Sequence, residues 1–140
     1  MIAIGSDHAG IELKNQLKAL LANQKWIDVG TDSQTSVDYP DFAKKVCEAL
    51  SEGKADFGVL ICGTGIGMSI AANRNPAIRA ALLHDTVSAR LSREHNDSNI
   101  VCLGARFVAA PLAAEIVRTF LETPFSGDPR HLKRIGKLTK

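Results

Sequence analysis

The feature that most constrains this chain is a regular alternation of short apolar runs with amphipathic stretches of helical length. The runs are Ile2-Ala3-Ile4, Trp26-Ile27-Asp28-Val29, Phe57-Gly58-Val59-Leu60-Ile61, Ala80-Ala81-Leu82-Leu83 and Ile100-Val101-Cys102-Leu103. Their near-continuous apolarity predicts strands covered on both faces, the condition of a parallel sheet. Between them Leu13, Leu17, Leu20 and Leu21 recur on one helical face. So do Phe42, Val46 and Leu50 with Cys47 beside them, and later Leu112, Ile116, Phe120 and Leu121. Five βα units in 140 residues predict one α/β domain over 1–140, doubly wound and Rossmann-like around a five-stranded parallel sheet. Ser126-Gly127-Asp128-Pro129 then break the pattern, and 128–140 reads as a basic helical tail.

Composition excludes several classes of function. A net charge of +2, with 23% charged and 45% hydrophobic residues, gives no bulk electrostatic case for nucleic acid or a membrane surface. The apolar start MIAIGSDHAG has no basic region ahead of it and no cleavage site, so it reads as a buried strand rather than a targeting signal. No apolar run has bilayer length. Cys47, Cys62 and Cys102 are an odd number without secretory context, which implies free thiols in a reducing, cytoplasmic setting. Their spacings fit no zinc pattern, and His8, His84, His95 and His131 do not pair with them; no metal is expected.

In open parallel sheets, ligands bind beyond the carboxyl ends of the strands. Those positions here hold Ser6-Asp7-His8, Gly30-Thr31-Asp32, Cys62-Gly63-Thr64-Gly65, His84-Asp85 and Gly104-Ala105-Arg106. The densest stretch runs from Gly58 to Asn73: a buried strand, the glycine-rich turn Cys62-Gly63-Thr64-Gly65-Ile66-Gly67, and a helix start. Glycines leave backbone N–H groups uncovered, and such amides suit a phosphate or a developing oxyanion. Three chemistries compete for this loop. A dinucleotide site needs its third glycine at position 68 and the first strand of the unit, although Asp85 lies at a suitable distance for a ribose contact. A cysteine phosphatase loop needs arginine at position 68, where Met68 stands. A thiol base beside an oxyanion loop suits proton abstraction next to a carbonyl. An inert strand-end cysteine competes with all three.

The remaining polar groups have structural readings of their own. Asp7-His8 reads as a helix cap with a surface histidine, or as an acid–imidazole pair. The run Arg93-Glu94-His95-Asn96-Asp97-Ser98-Asn99 before the fifth strand reads as caps and turn formers, or as a polar site. Arg130 and Arg134, at i and i+4, form a solvated basic face or a phosphate clamp. Cys47 and Cys102 occupy core positions.

Taken together, GSDHAG, DYP at Asp38-Pro40, ICGTGIGMSIAANR, SREHNDSN, LGAR and the terminal RHLKR resemble the type B ribose-5-phosphate isomerase family over essentially the whole chain. The resemblance implies an aldose–ketose isomerase that needs neither cofactor nor metal. It implies Cys62 as the base moving a proton between C2 and C1, with Thr64 beside it and Gly63, Thr64, Gly65, Ile66 and Gly67 forming the oxyanion loop. It implies His95 as the acid that opens the furanose ring and Asn96 as its neighbouring sugar contact. Asp7, His8 and Tyr39 then bind the sugar, and Arg106, Arg130 and Arg134 the phosphate, some of them from the partner subunit of a homodimer. Relatives without the cysteine carry a glutamate base where Met68 stands, which puts this chain in the cysteine group.

Leu132, Ile135 and Leu138 give the tail an apolar stripe to bury against a partner, whether the assembly is a dimer or a tetramer. Isomerases of allose 6-phosphate or galactose 6-phosphate are the nearest rivals. A non-catalytic module for sugar phosphates or nucleotides is the rival of another class, disfavoured because binding alone needs neither a thiol base nor a ring-opening acid.

Overall fold

The computed structural model describes residues 1–138; the last two residues of the expected tail lie outside it. Five strands, β1 (Ile2–Ser6), β2 (Trp26–Asp28), β3 (Phe57–Cys62), β4 (Ala80–Leu82) and β5 (Ile100–Gly104), form one parallel sheet in the order β2-β1-β3-β5-β4. Six helices accompany them: α1 (Ile11–Leu20), α2 (Tyr39–Ser51), α3 (Ile66–Ala72), α4 (Thr86–Asn96), α5 (Ala110–Glu122) and α6 (Pro129–Gly136).

The three inner strands, β1, β3 and β5, are buried along almost their whole length. The edge strands β2 and β4 are three residues each and half-buried. Side chains alternate between two cores, as the pleat requires. Ile2, Ile4, Val59, Ile61, Val101 and Leu103 face α1, α4 and α5. Ala3, Leu60, Cys62, Ile100 and Cys102 face α2 and α3. The steps from β2 to β3 and from β3 to β4 cross one face, and those from β1 to β2 and from β4 to β5 return across the other. A single crossover hand requires that division.

Two expectations about helix faces need correction. Leu20 is 51% exposed and Leu112 is 42% exposed. Leu13, Leu17 and Leu21 already fill the inward stripe of α1, and Ala113, Ile116, Val117 and Phe120 fill that of α5. The inward place beside Leu13 goes instead to Lys14, which is fully buried. Its ammonium donates to Asp28 Oδ1 at 2.8 Å, to the Thr31 carbonyl at 2.9 Å and to Asp32 Oδ1 at 3.4 Å. Burial raises the Asp28 carboxyl, but hydrogen bonds from Lys14, Lys18 and the Gly30 N–H outweigh it and hold the group below the usual carboxylate range.

β1 leads away toward β2 and β3 toward β4, so the connections leaving these neighbours diverge at their carboxyl ends. Open α/β sheets bind ligands in the crevice at such a divergence, and Asp7 and Cys62 flank it here.

Candidate active site

Cys62 ends β3 opposite Gly104 and is 5% exposed. The chain turns at Gly65, whose φ of 75° lies in the left-handed region. A Cβ there would also stand 2.6 Å from Leu82 Cδ1 and 2.8 Å from the Leu103 carbonyl carbon. The turn brings the Gly65 N–H to Cys62 Sγ at 3.1 Å, so charge developing on sulfur meets a fixed donor. The Ile66 N–H goes to Thr64 Oγ1 at 3.2 Å. The N–H groups of Gly63, Thr64 and Gly67 have no partner among the described residues. They supply the uncovered donors that the glycine pattern predicted.

The other two thiols are placed differently. Burial pushes Cys47 up to about 11, and it pushes Cys102 higher still. Both stay protonated and inert at neutral pH.

Around the Cys62 loop stand several of the expected residues. The Asp7 N–H is held by the Ile61 carbonyl, and Asp7 Oδ1 accepts from the Ala9 and Gly10 N–H groups at 3.0 and 3.2 Å. Asp7 thus closes the turn ahead of α1 and does not cap the helix, whose N-cap is Gly10 with no side-chain cap bond. Its Oδ2 has no protein partner among the described residues and is not sealed from solvent. His8 does not pair with Asp7. Its Nδ1 accepts from the Val37 N–H at 3.2 Å, which ties down the approach to α2. That approach delivers Tyr39, whose ring would lie 2.5 Å from a Cβ at position 67. Gly67 is what lets the ring cross the first turn of α3. The exposed Ile66 opens α3 beside it. Arg106 donates its N–H to the Gly63 carbonyl at 3.0 Å and lays its guanidinium over Gly63.

His95, Asn96, Arg130 and Arg134 are not part of this cluster. His95 and Asn96 end α4 shortly before β5 begins, which places them at the amino edge of the sheet. The five residues of β5 separate that edge from Gly104 by about 13 Å. The tail docks at the same amino edge. Ser126 Oγ donates to the Glu94 carbonyl at 2.7 Å, and His131 of α6 stacks on His95 with centroids 4.4 Å apart. None of the residues of α6 is buried, and Leu132 and Leu138 are 54% and 64% exposed. Arg130 is held by Asp128 through two side-chain bonds, at 3.2 and 3.0 Å. Those bonds draw the Asp128 carboxyl down to about 2.

No motif singled out Lys14, and His131 entered only as part of RHLKR, with no role given to it. Lys14 could have been read from its place in the Gly10, Leu13, Leu17, Leu21 stripe, with Asp28 as the partner a buried charge demands. His131 has no such local signal.

A model of the Ribose/Galactose Isomerase family matches residues 2–138. The chain belongs to this family. Ribose-5-phosphate isomerase B of Escherichia coli K12 is 44% identical over an alignment of 140 positions that covers 99% of this chain and 93% of that one. A putative sugar phosphate isomerase of Bacillus subtilis is 50% identical over 141 residues, covering 99% and 94%. Among solved structures, a ribose 5-phosphate isomerase of Thermotoga maritima superposes with a TM-score of 0.95 at 54% identity, covering 99% of this chain and 96% of that one. The type B ribose 5-phosphate isomerase of Trypanosoma brucei gives 0.95 at 44% identity, covering 99% and 95%. The type B resemblance seen in the motifs thus extends to the whole fold, and the chain is an isomerase of this sugar-phosphate family. Among the described residues no helix is long and apolar enough to cross a membrane, and no cluster of His, Cys, Asp and Glu could hold a metal ion.

Proposed function

We propose that the chain interconverts D-ribose 5-phosphate and D-ribulose 5-phosphate in the cytoplasm through an enediolate. The observation that carries this reading is Cys62 Sγ at the crevice between β1 and β3, facing the Gly65 N–H with uncovered amides beside it. His95 protonates the ring oxygen as the C1–O bond breaks and the C1 hydroxyl gives up its proton, yielding the open aldehyde. Cys62 takes the C2 proton while negative charge grows on the C1 oxygen. The loop amides of Gly63, Thr64 and Gly67 meet that charge. Thr64 holds the Ile66 N–H on its oxygen and keeps its own O–H for a sugar oxygen. Cys62 returns the proton to C1, and a proton passes from O2 to O1. The reaction is an internal redox exchange, so it draws on no external cofactor. Asp7, His8, Tyr39 and Asn96 orient the sugar, and arginines hold the phosphate far from the reacting carbons.

The base and the ring-opening acid come from two copies of the chain. Within one copy, Cys62 and Arg106 stand at the carboxyl edge, and His95, Asn96, Arg130 and Arg134 at the amino edge. A two-fold dimer brings one copy's amino edge to the other's carboxyl edge, and it completes both sites equally. The unburied apolar stripe of α6 supplies surface for that contact.

Exchange at C2 of ribose 5-phosphate in heavy water, followed by proton NMR, tests the base. The parent enzyme should exchange that proton and Cys62→Ala should not. Exchange by Cys62→Ala at the parent rate would overturn the assignment. The family's breadth, ribose and galactose alike, makes hexose phosphates the second reading. Ketose formation from a panel of ribose 5-phosphate, allose 6-phosphate and galactose 6-phosphate decides between them. A higher kcat/KM on either hexose phosphate would replace the pentose assignment.

A further inference from the structure

The sharpest backbone feature at the amino edge is Asp97. It is the non-glycine residue with positive φ among the described residues, at 44°, a conformation L side chains rarely adopt. It closes α4, and its N–H returns to the Arg93 and Ser92 carbonyls. Its carboxylate is gripped from both sides. Arg93 Nη1 donates to Oδ1 at 2.8 Å and Arg79 Nη2 donates to Oδ2 at 3.2 Å. Arg79 Nε also reaches the Asn96 carbonyl at 2.9 Å and the Asp97 carbonyl at 3.1 Å.

The two arginines are anchored in different layers. Arg93 is buried, with its guanidinium 5.0 Å from the Phe57 ring centroid and 5.5 Å from that of Phe120. It also donates to the Thr123 and Ser98 carbonyls. Arg79 directly precedes β4, and the Asn99 side chain holds its N–H at 2.8 Å and donates to the Ala77 carbonyl at 3.0 Å. Helix ends fray when nothing holds them. Here the end of α4 is tied both to the core under α5 and to the start of β4.

His95 and Asn96 are the two residues immediately before Asp97, and both are exposed. Neither side chain makes a hydrogen bond among the described residues; His95 has the His131 stack. The direction in which they project is set by the backbone at the end of α4. We propose that Asp97, clamped by Arg79 and Arg93, is a positioning residue for the ring-opening step, holding His95 and Asn96 at the attitude that meets the sugar ring. This inference rests on the ring-opening role proposed above for His95.

The chemistry offers a clean separation. Ribose 5-phosphate reaches the enzyme mostly as a ring. Ribulose 5-phosphate is open, because its C5 oxygen carries the phosphate and cannot close on the C2 ketone. Solvent exchange at C1 of ribulose 5-phosphate therefore needs the base and no ring opening. Both reactions should be measured in heavy water for the full chain and for Asp97→Asn, Arg79→Met, His95→Ala and Phe120→Leu. Asparagine tolerates the left-handed conformation, so Asp97→Asn removes the charge pairs and spares the turn. Arg79→Met loosens the clamp from the other element. Phe120→Leu removes a ring from beside the Arg93 guanidinium but keeps both arginine hydrogen bonds to the Asp97 carboxylate.

Asp97→Asn and Arg79→Met should lower isomerisation of ribose 5-phosphate about tenfold or more, as small misplacements of reacting groups do. They should leave C1 exchange on ribulose 5-phosphate within about twofold of the parent. Phe120→Leu should not change the ratio of the two rates. A selective loss in His95→Ala with none in Asp97→Asn and Arg79→Met would overturn the positioning role and leave the acid in place. Equal losses of both reactions in His95→Ala would overturn the acid assignment, and the positioning role with it.

Discussion

Cys62 and His95 stand at opposite edges of one sheet. Cys62 ends β3 beside Gly104 at the carboxyl edge, and His95 closes α4 ahead of Ile100 at the amino edge. No side-chain rotation spans a strand of this length, so a site that uses both groups has to be assembled between copies. The loop around Cys62 is nonetheless built within one chain, and its parts can be tested there.

Cys62→Ala should fold normally and lose turnover by roughly 10²- to 10⁴-fold, the usual worth of a positioned base. Cys47→Ala should keep turnover near the parent value, since Cys47 faces α3 and contacts the Ala72 carbonyl rather than the crevice. Steady-state kinetics with circular dichroism checks both. Loss of turnover in Cys47→Ala with the fold intact would show that the wrong thiol has been assigned.

The buried thiols also set an alkaline limit. Burial raises Cys47 from 9.0 to about 11, so between these values the folded chain keeps a proton that the unfolded chain releases. Stability is then full below pH 9 and falls as pH rises toward 11. Cys102 is raised for the same reason and steepens the slope. Urea denaturation at pH 8, 9 and 10 should show the midpoint falling in the parent and falling less in Cys47→Ala. Parallel slopes in the two proteins would contradict the linkage.

Lys14→Met should be among the most damaging single changes away from the site. It leaves the Thr31 carbonyl without its ammonium and removes one of the two lysines that hold Asp28. Breaking a buried, hydrogen-bonded pair from one side costs about 3–5 kcal/mol. Because Thr31 bonds back to Ser6 at 2.8 Å, the loss should also loosen the strand end that carries Asp7. A urea midpoint near the parent value would show that Lys14 is dispensable.

The pattern of residues announced much of this fold. β1, β3 and β5 were legible because a strand covered on both faces must be apolar at every position. The insertion of β5 between β3 and β4 was not, because apolar runs carry no record of strand order. Leu20 and Leu112 misled because a leucine beside an apolar stripe looks like part of it, and Lys14 because a charge looks like surface. The Cys62 loop was readable from glycine spacing. The distance of His95 and the tail from it was implicit in chain order: a residue just ahead of a strand lies at that strand's amino end.

Gly65 and Gly67 should respond differently to alanine. At Gly65 the new Cβ meets both a positive φ and the Leu103 backbone at 2.8 Å, so Gly65→Ala should disrupt the loop and destabilise the fold. At Gly67 it meets the Tyr39 ring at 2.5 Å, and Tyr39 is half out in solvent at 38% exposure. Gly67→Ala should therefore fold, displace the ring and raise KM. Adding Tyr39→Ala to Gly67→Ala should restore the parent urea midpoint. An unchanged KM in Gly67→Ala would separate Tyr39 from sugar binding.

In the proposed mechanism each site takes its base from one copy and its ring-opening acid from another. Cys62→Ala and His95→Ala chains, each weak or inactive on ribose 5-phosphate alone, should be unfolded together in equal amounts and refolded. About half the dimers are then mixed, and each mixed dimer has one site with both lesions and one with neither. Activity should recover to about a quarter of the parent value. Verified subunit exchange with no recovery would show that Cys62 and His95 serve the same chain, and would contradict the shared site.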